Sequence, residues 1–139
     1  MSIDFDYPIF LSPEQLDAVL EKGWFRMHES VFTTHFYMRE GKLLSTVWLR
    51  SVLGSYKFSK NQRKRLRSIY RDCDIHFSPL RLCSEHEDLY QKYMSIAKGK
   101  RAESIANILG DASELVFQTW QLEVRSEGRL IAYSIFDAG

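Results

Sequence analysis

Apolar residues first recur at helical spacing between Ser12 and Lys22, where Leu16, Val19 and Leu20 form one stripe. Ser12-Pro13-Glu14-Gln15 supplies an N-cap, a proline at the first helical position and a capping-box partner, and Gly23 stands where a C′ residue ends such a helix. The period then changes. Trp24–Met27, Val31–Met38 and Leu43–Val52 are rich in β-branched and aromatic residues and predict three strands, the last two joined by a turn at Glu40-Gly41. Ser59 with Gln62 opens a second helix, to about Arg71, whose Leu66, Ile69 and Tyr70 are expected to face a core. A short strand, Asp74–Ser78, is closed by Pro79.

Ser84 with Glu87 is a third capping-box pattern, opening a helix to about Lys98 that Gly99 ends. Leu89, Tyr90, Tyr93, Met94 and Ala97 share one face of it, so the two tyrosines are expected to pack in a core rather than to stack on bases. Arg101–Leu109 predicts another short helix, stopped by Gly110. Glu114–Val124 and Arg129–Phe136 predict a hairpin around Glu127-Gly128. The order αβββ, α, βααββ predicts an α+β protein with a mainly antiparallel sheet.

Length and composition narrow this picture. At 139 residues the chain suits one ordinary core or two small subdomains, and 45% hydrophobic with 14% aromatic residues indicates a folded globular protein. No apolar run approaches the roughly 20 residues that span a bilayer. The N-terminus, MSIDFDYPIF, lacks the basic and apolar regions of a signal peptide, so a cytoplasmic location without a membrane partner is expected. Cys73 and Cys83 are the only cysteines, and His28, His35, His76 and His86 are scattered. That is too little for a disulfide scaffold or a four-cysteine site, so no metal, iron–sulfur cluster or other cofactor is expected.

Charge changes the picture most. Tyr56–Arg71 holds seven cations (Lys57, Lys60, Arg63, Lys64, Arg65, Arg67, Arg71) and no acid. The whole chain is only +1; without those seven, 12 basic residues face 18 acidic ones. Lys60, Arg63, Lys64, Arg67 and Arg71 fall within an arc of roughly 100° on the predicted helix. Such a segregated ridge suits phosphates, and the alternative is a plain solvated face. Arg50 lies in the strand just before this helix and is a further candidate contact.

No reaction is legible in the motifs. The chain has no P-loop, GxGxxG, HExxH or GxSxG. Cys73 and Cys83 flank His76, but buried structural roles are commoner for cysteine. His86 lies on or beside an apolar helix face, where a packed histidine is commoner than a base. Glu87 and Asp88 are adjacent and point apart, and Asp137 suits a turn better than a cleft. No catalytic residue is identified.

Several segments together resemble the aminoacyl-tRNA–protein transferases of the arginyl and leucyl type. Leu49-Arg50 resembles the family's "PLR" strand, and Lys57-Phe58-Ser59-Lys60-Asn61-Gln62-Arg63-Lys64 its "F-x-x-S-x-S-Q-R-R" segment. Glu87-Asp88-Leu89-Tyr90-Gln91-Lys92-Tyr93 is similar to its "E-x-x-x-L-Y-x-x-Y" helix, and Gly23-Trp24-Phe25-Arg26 to its "G-F/W-R-R". Gly128-Arg129-Leu130-Ile131-Ala132 with Phe136-Asp137 resembles its closing hairpin, so the likeness spans roughly residues 16 to 139.

The resemblance implies a small N-terminal domain with the basic helix, residues 1–72, and a GCN5-related acyltransferase-like core beginning at 73–139. It implies transfer of an amino acid from a charged tRNA to a protein N-terminus, the chemistry of N-terminal arginylation and N-degrons. Its tRNA-binding residues here are Lys60, Arg63, Lys64, Arg67, Arg71 and Arg50.

Two departures accompany it. The family's cysteine cluster is absent from Phe36–Leu43, so any cofactor held there is not implied. The segments after residue 73 also match only the first half of the core, so the chain is expected to be an incomplete portion, with Leu130, Ile131, Tyr133, Ile135 and Phe136 on an exposed strand prone to self-association. The alternative reading is a non-catalytic RNA-binding or regulatory module. A fragment of an acyl-CoA-dependent enzyme is disfavoured, because no Gly-rich pyrophosphate loop occurs.

Overall fold

The structure, a computed structural model of the chain, describes residues 3–97, 102–110 and 116–138. The expected α+β class holds, with three small antiparallel sheets. The elements run β1 (Ile3–Asp6), α1 (Pro13–Glu21), β2 (Phe25–Met27), β3 (Ser30–Thr34), β4 (Phe36–Arg39) and β5 (Lys42–Ser45). A 3₁₀ turn at Leu53–Ser55 leads to α2 (Lys60–Asp72) and β6 (Asp74–Pro79). Then come α3 (Ser84–Ile96), α4 (Ala106–Leu109), β7 (Thr119–Ser126) and β8 (Arg129–Asp137). Two compact units divide the chain: Met1–Arg50 with Ala106–Gln118 and Asp137–Gly139, and Ser51–Ile105 with Thr119–Phe136. The basic helix α2 belongs to the second.

In the first unit, β3 sits between β1 and β2, with Phe32 opposite both Phe5 and Phe25. β1 carries no signal beyond alternation over four residues, and pairing alone reveals it. α1 begins as its sequence predicts: the Ser12 hydroxyl accepts from Gln15 N at 3.3 Å, and Gln15 Oε1 accepts from Ser12 N at 2.9 Å. Of its expected stripe only Leu16 is fully buried, against Val31 and Phe117. Gly23 follows with φ 83°, and a Cβ there would lie 3.2 Å from the Trp48 ring, which itself stacks on Phe25 at 4.0 Å. Arg26 ties this unit together. Its guanidinium pairs with Asp137 and lies 4.5 Å over the Phe117 ring, while Nε donates to the His28 carbonyl. Asp137 is thus an ion-pair partner, not the turn former its position suggested. Burial lowers the pKa of Arg26 and the Asp137 carboxylate counters it.

Two predicted strands are shortened. The run 31–38 is broken at His35 into β3 and β4, which belong to different sheets. The run 43–52 pairs only over Lys42–Ser45, so Trp48 and Arg50 lie outside any strand. β-rich composition sets what a segment prefers, and only an available partner makes it a strand. The β4–β5 turn is as expected, with Glu40 and Gly41 both at positive φ, the type I′ requirement.

In the second unit, β7 is central between β6 and β8, and β6 pairs antiparallel from Asp74↔Arg125 to Pro79↔Trp120. The β7–β8 turn, Glu127-Gly128, also has both residues at positive φ. The strand predicted from Glu114 begins only at Thr119; residues 111–115 lie outside the described residues. So do Lys98, Gly99 and Arg101, where one predicted helix ends and the next begins; among the described residues 102–109 only Ala106–Leu109 is helical. Tyr93 is 47% exposed, not packed in a core, whereas Tyr90 is half-buried and donates to the Ala102 carbonyl at 2.7 Å.

Leu16 is 2% exposed at the centre of the first unit's core. Leu16→Ala is expected to cost about 2–5 kcal/mol. Urea unfolding should read this as a lower midpoint with an unchanged slope.

Candidate nucleic-acid interface

α2 begins at the predicted cap. The Ser59 hydroxyl accepts from Gln62 N at 3.2 Å, Gln62 Oε1 accepts from Ser59 N at 2.8 Å, and the Gln62 amide donates onward to the Tyr56 hydroxyl at 2.6 Å. The expected core face is absent. No side chain of α2 is buried; Leu66 is half-buried, Ile69 is 40% exposed and Tyr70 68%. Strong helix formers and a double cap fix the local conformation, but an apolar stripe says nothing about whether a surface lies opposite.

Lys60, Arg63, Lys64 and Arg67 are exposed and form no ion pair among the described residues. Lys60–Lys64 and Arg63–Arg67 are like-charge pairs at i, i+4, each opposing the helix by about 0.2–0.5 kcal/mol. The first turn has no acidic residue, so its cations stand at the positive end of the helix dipole. An anion laid along this ridge relieves both penalties.

The other two predicted contacts are already engaged. Arg71 makes two bonds to its neighbour Asp72, at 2.7 and 3.0 Å, and this hydrogen bonding holds the Asp72 carboxyl below the usual carboxylate range. Arg50 belongs to the first unit, where it contacts Asp17 at 2.9 Å and Glu21 at 3.9 Å on α1.

A second polar cluster escaped the sequence reading. Cys83, not Ser84, caps α3, and the residue three positions on is His86. The Cys83 N–H donates to His86 Nδ1 at 3.2 Å, and the Cys83 sulfur lies 3.1 Å from the same nitrogen. His86 is 1% exposed, as a packed histidine should be, and its Nε2 lies 2.9 Å from Glu123 Oε1 on β7. Cys83 itself is exposed, against the buried role expected of it. Glu87 does not cap; its Oε2 accepts from Ile105 N at 3.1 Å and its Oε1 from Gln91 at 2.7 Å. Gln121, Glu123 and Arg125 alternate along one face of β7. The signal in the sequence is Cys-x-x-His at a helix start, together with that i, i+2 polar series on a strand. Among the described residues no three of His, Cys, Asp or Glu converge as metal ligands, and no helix is long and apolar enough to cross a membrane.

Glu85 extends the cluster. Its Oε1 accepts from Leu130 N at 3.0 Å on β8 and its Oε2 from Arg125 at 2.8 Å. These bonds, the backbone one first, hold its carboxyl below the ordinary value. A carboxyl whose pKa falls on folding stabilises the fold above its unfolded value, and that contribution is lost as pH falls through the folded value. Glu85→Gln should therefore flatten the acid side of the stability profile and leave neutral pH with the smaller stability. Thermal melts from neutral pH into the acid range check this.

The chain matches no protein-family model, and no curated protein is significantly similar to it.

Proposed function

We propose that this chain is an aminoacyl-tRNA–protein transferase-like protein that engages tRNA through α2. The observation that carries the proposal is the row of four exposed, unpaired cations, Lys60, Arg63, Lys64 and Arg67, on a helix with no buried side chain. Phosphates spaced along an RNA backbone are the ligand such a row fits, because each contact releases condensed counterions. The motifs that carry the family likeness fall on discrete elements: Lys57–Lys64 leads into α2, Glu87–Tyr93 lies within α3, and Gly128–Ala132 turns from β7 into β8. The GCN5-related architecture is part of the same proposal. Its support is an antiparallel β6–β7–β8 sheet with α3 and α4 between β6 and β7 in sequence. The acceptor is the α-amino group of a protein. We place self-association on β8, a nine-residue strand at the edge of its sheet with Ile131 and Phe136 partly exposed and Leu130 buried.

Filter binding of tRNA across a salt series tests the interface. Four phosphate contacts give a slope of log affinity against log salt of about −3. Replacing Arg63, Lys64 and Arg67 together by Glu should flatten that slope and weaken binding across RNA sequences alike. Unchanged retention by a folded triple variant overturns the interface. Transfer of an amino acid from charged tRNA to a peptide N-terminus tests the enzyme, and binding without transfer supports the RNA-binding module instead. Light scattering should show mass rising with concentration, and a charge introduced by Ile131→Lys should suppress it.

A further inference from the structure

We propose that Cys83 is a nucleophilic thiol that exchanges with low-molecular-weight disulfides, with His86 accepting its proton and Glu123 positioning His86. The proposal is independent of RNA binding and of aminoacyl transfer. It rests on three side chains in line. Cys83 is exposed, its sulfur is 3.1 Å from His86 Nδ1, and the far side of that ring, Nε2, is 2.9 Å from Glu123 Oε1.

The tautomer follows from the neighbours. The Cys83 N–H donates to Nδ1, so that nitrogen carries the lone pair, and Nε2 carries the proton it gives to Glu123. That lone pair accepts the Cys83 N–H and also lies 3.1 Å from the sulfur, so taking the thiol proton means exchanging the backbone donor for the thiol. Glu123 is held in place from both sides: Gln121 donates to its Oε1 at 2.9 Å, and Arg125 donates to its Oε2 at 2.8 Å. Tyr133 meets the imidazole edge-on at 5.2 Å and fixes the ring plane. The arrangement is nucleophile, base and orienting group, with a buried base and an open nucleophile.

Exchange at sulfur suits what is present. It needs an accessible thiol and an acceptor for its proton, and it forms no oxyanion that further donors would have to hold. In the step, the thiol proton passes to Nδ1 and the freed electron pair of Cys83 bonds to one sulfur of the disulfide. The S–S bond breaks with its pair on the departing sulfur, which takes the proton back from the imidazolium. Cys83 is oxidised to a mixed disulfide, and the other half of the reagent is reduced to a thiol.

The test uses the Cys73→Ser chain, in which Cys83 is the sole thiol, and oxidised glutathione as the probe. Mass spectrometry follows mixed-disulfide formation in the native chain and in the same chain unfolded in urea, each corrected by a free-thiol control. A native rate at least about tenfold above the unfolded rate is expected from base assistance. A native rate at or below the unfolded one shows a merely packed cap and overturns the proposal, whatever the variants do. His86→Gln, folded by circular dichroism, should lose the advantage; retaining it also overturns the proposal.

The titratable and charged groups facing His86 are Glu123, backed by Arg125, from β7, Tyr133 from β8 and Glu85 from its own helix. Glu123→Gln preserves an acceptor for Nε2 but removes the charge. It should move the pH profile of the exchange rate, and an unmoved profile removes Glu123 from the assignment.

Discussion

The second unit depends on a polar ladder that fastens the start of α3 to β7 and β8. His86 reaches Glu123, Glu85 reaches Arg125 and the Leu130 backbone, and Arg125 joins the two carboxylates. Few apolar side chains there are fully buried; Ile105 and Leu130 are the described examples. The ladder therefore carries an unusual share of the task of fixing where a helix begins. Its geometry is also unforgiving. Removing one member of the buried His86–Glu123 contact leaves the other desolvated without that partner, a loss of about 1–3 kcal/mol. The same constraint sets the orientation of the His86 ring, so the contact that positions the helix also presents a nitrogen lone pair to Cys83.

α2 illustrates the opposite condition. It is a 13-residue helix with two reciprocal caps and no buried side chain. Helices of that length are marginal in water without packing, and repulsion along the cation ridge weakens this one further. An anionic surface bound along the ridge would add stability to the element that binds it. For such a ligand, affinity and local order would be coupled.

The first unit is the conventional part of the molecule. Leu16, Val31 and Phe117 form its centre, and Arg26 spans from a three-residue strand to Phe117 and Asp137, residues far away in sequence. Nothing local to Arg26 announces this. An arginine on a short strand is ordinary, and its role comes from residues more than 90 positions later.

What the sequence determined by itself is local. The caps at Ser12 and Ser59, the positive-φ turns at Glu40-Gly41 and Glu127-Gly128, and the one-sided charge of α2 depend on residues within a few positions of one another, and all are found where the pattern puts them. Tertiary structure decided the rest. It chose Cys83 over Ser84 as the cap because an imidazole three residues on was held by Glu123 from another strand. It broke the 31–38 run into two sheets and left 46–52 without a strand partner. It also left Ile69 and Tyr70 of α2 in solvent, although their spacing is that of a buried face. The physical reason is common to these cases. Backbone conformation is set by neighbours along the chain, whereas burial, strand pairing and the environment of a titratable side chain are set by what arrives from elsewhere.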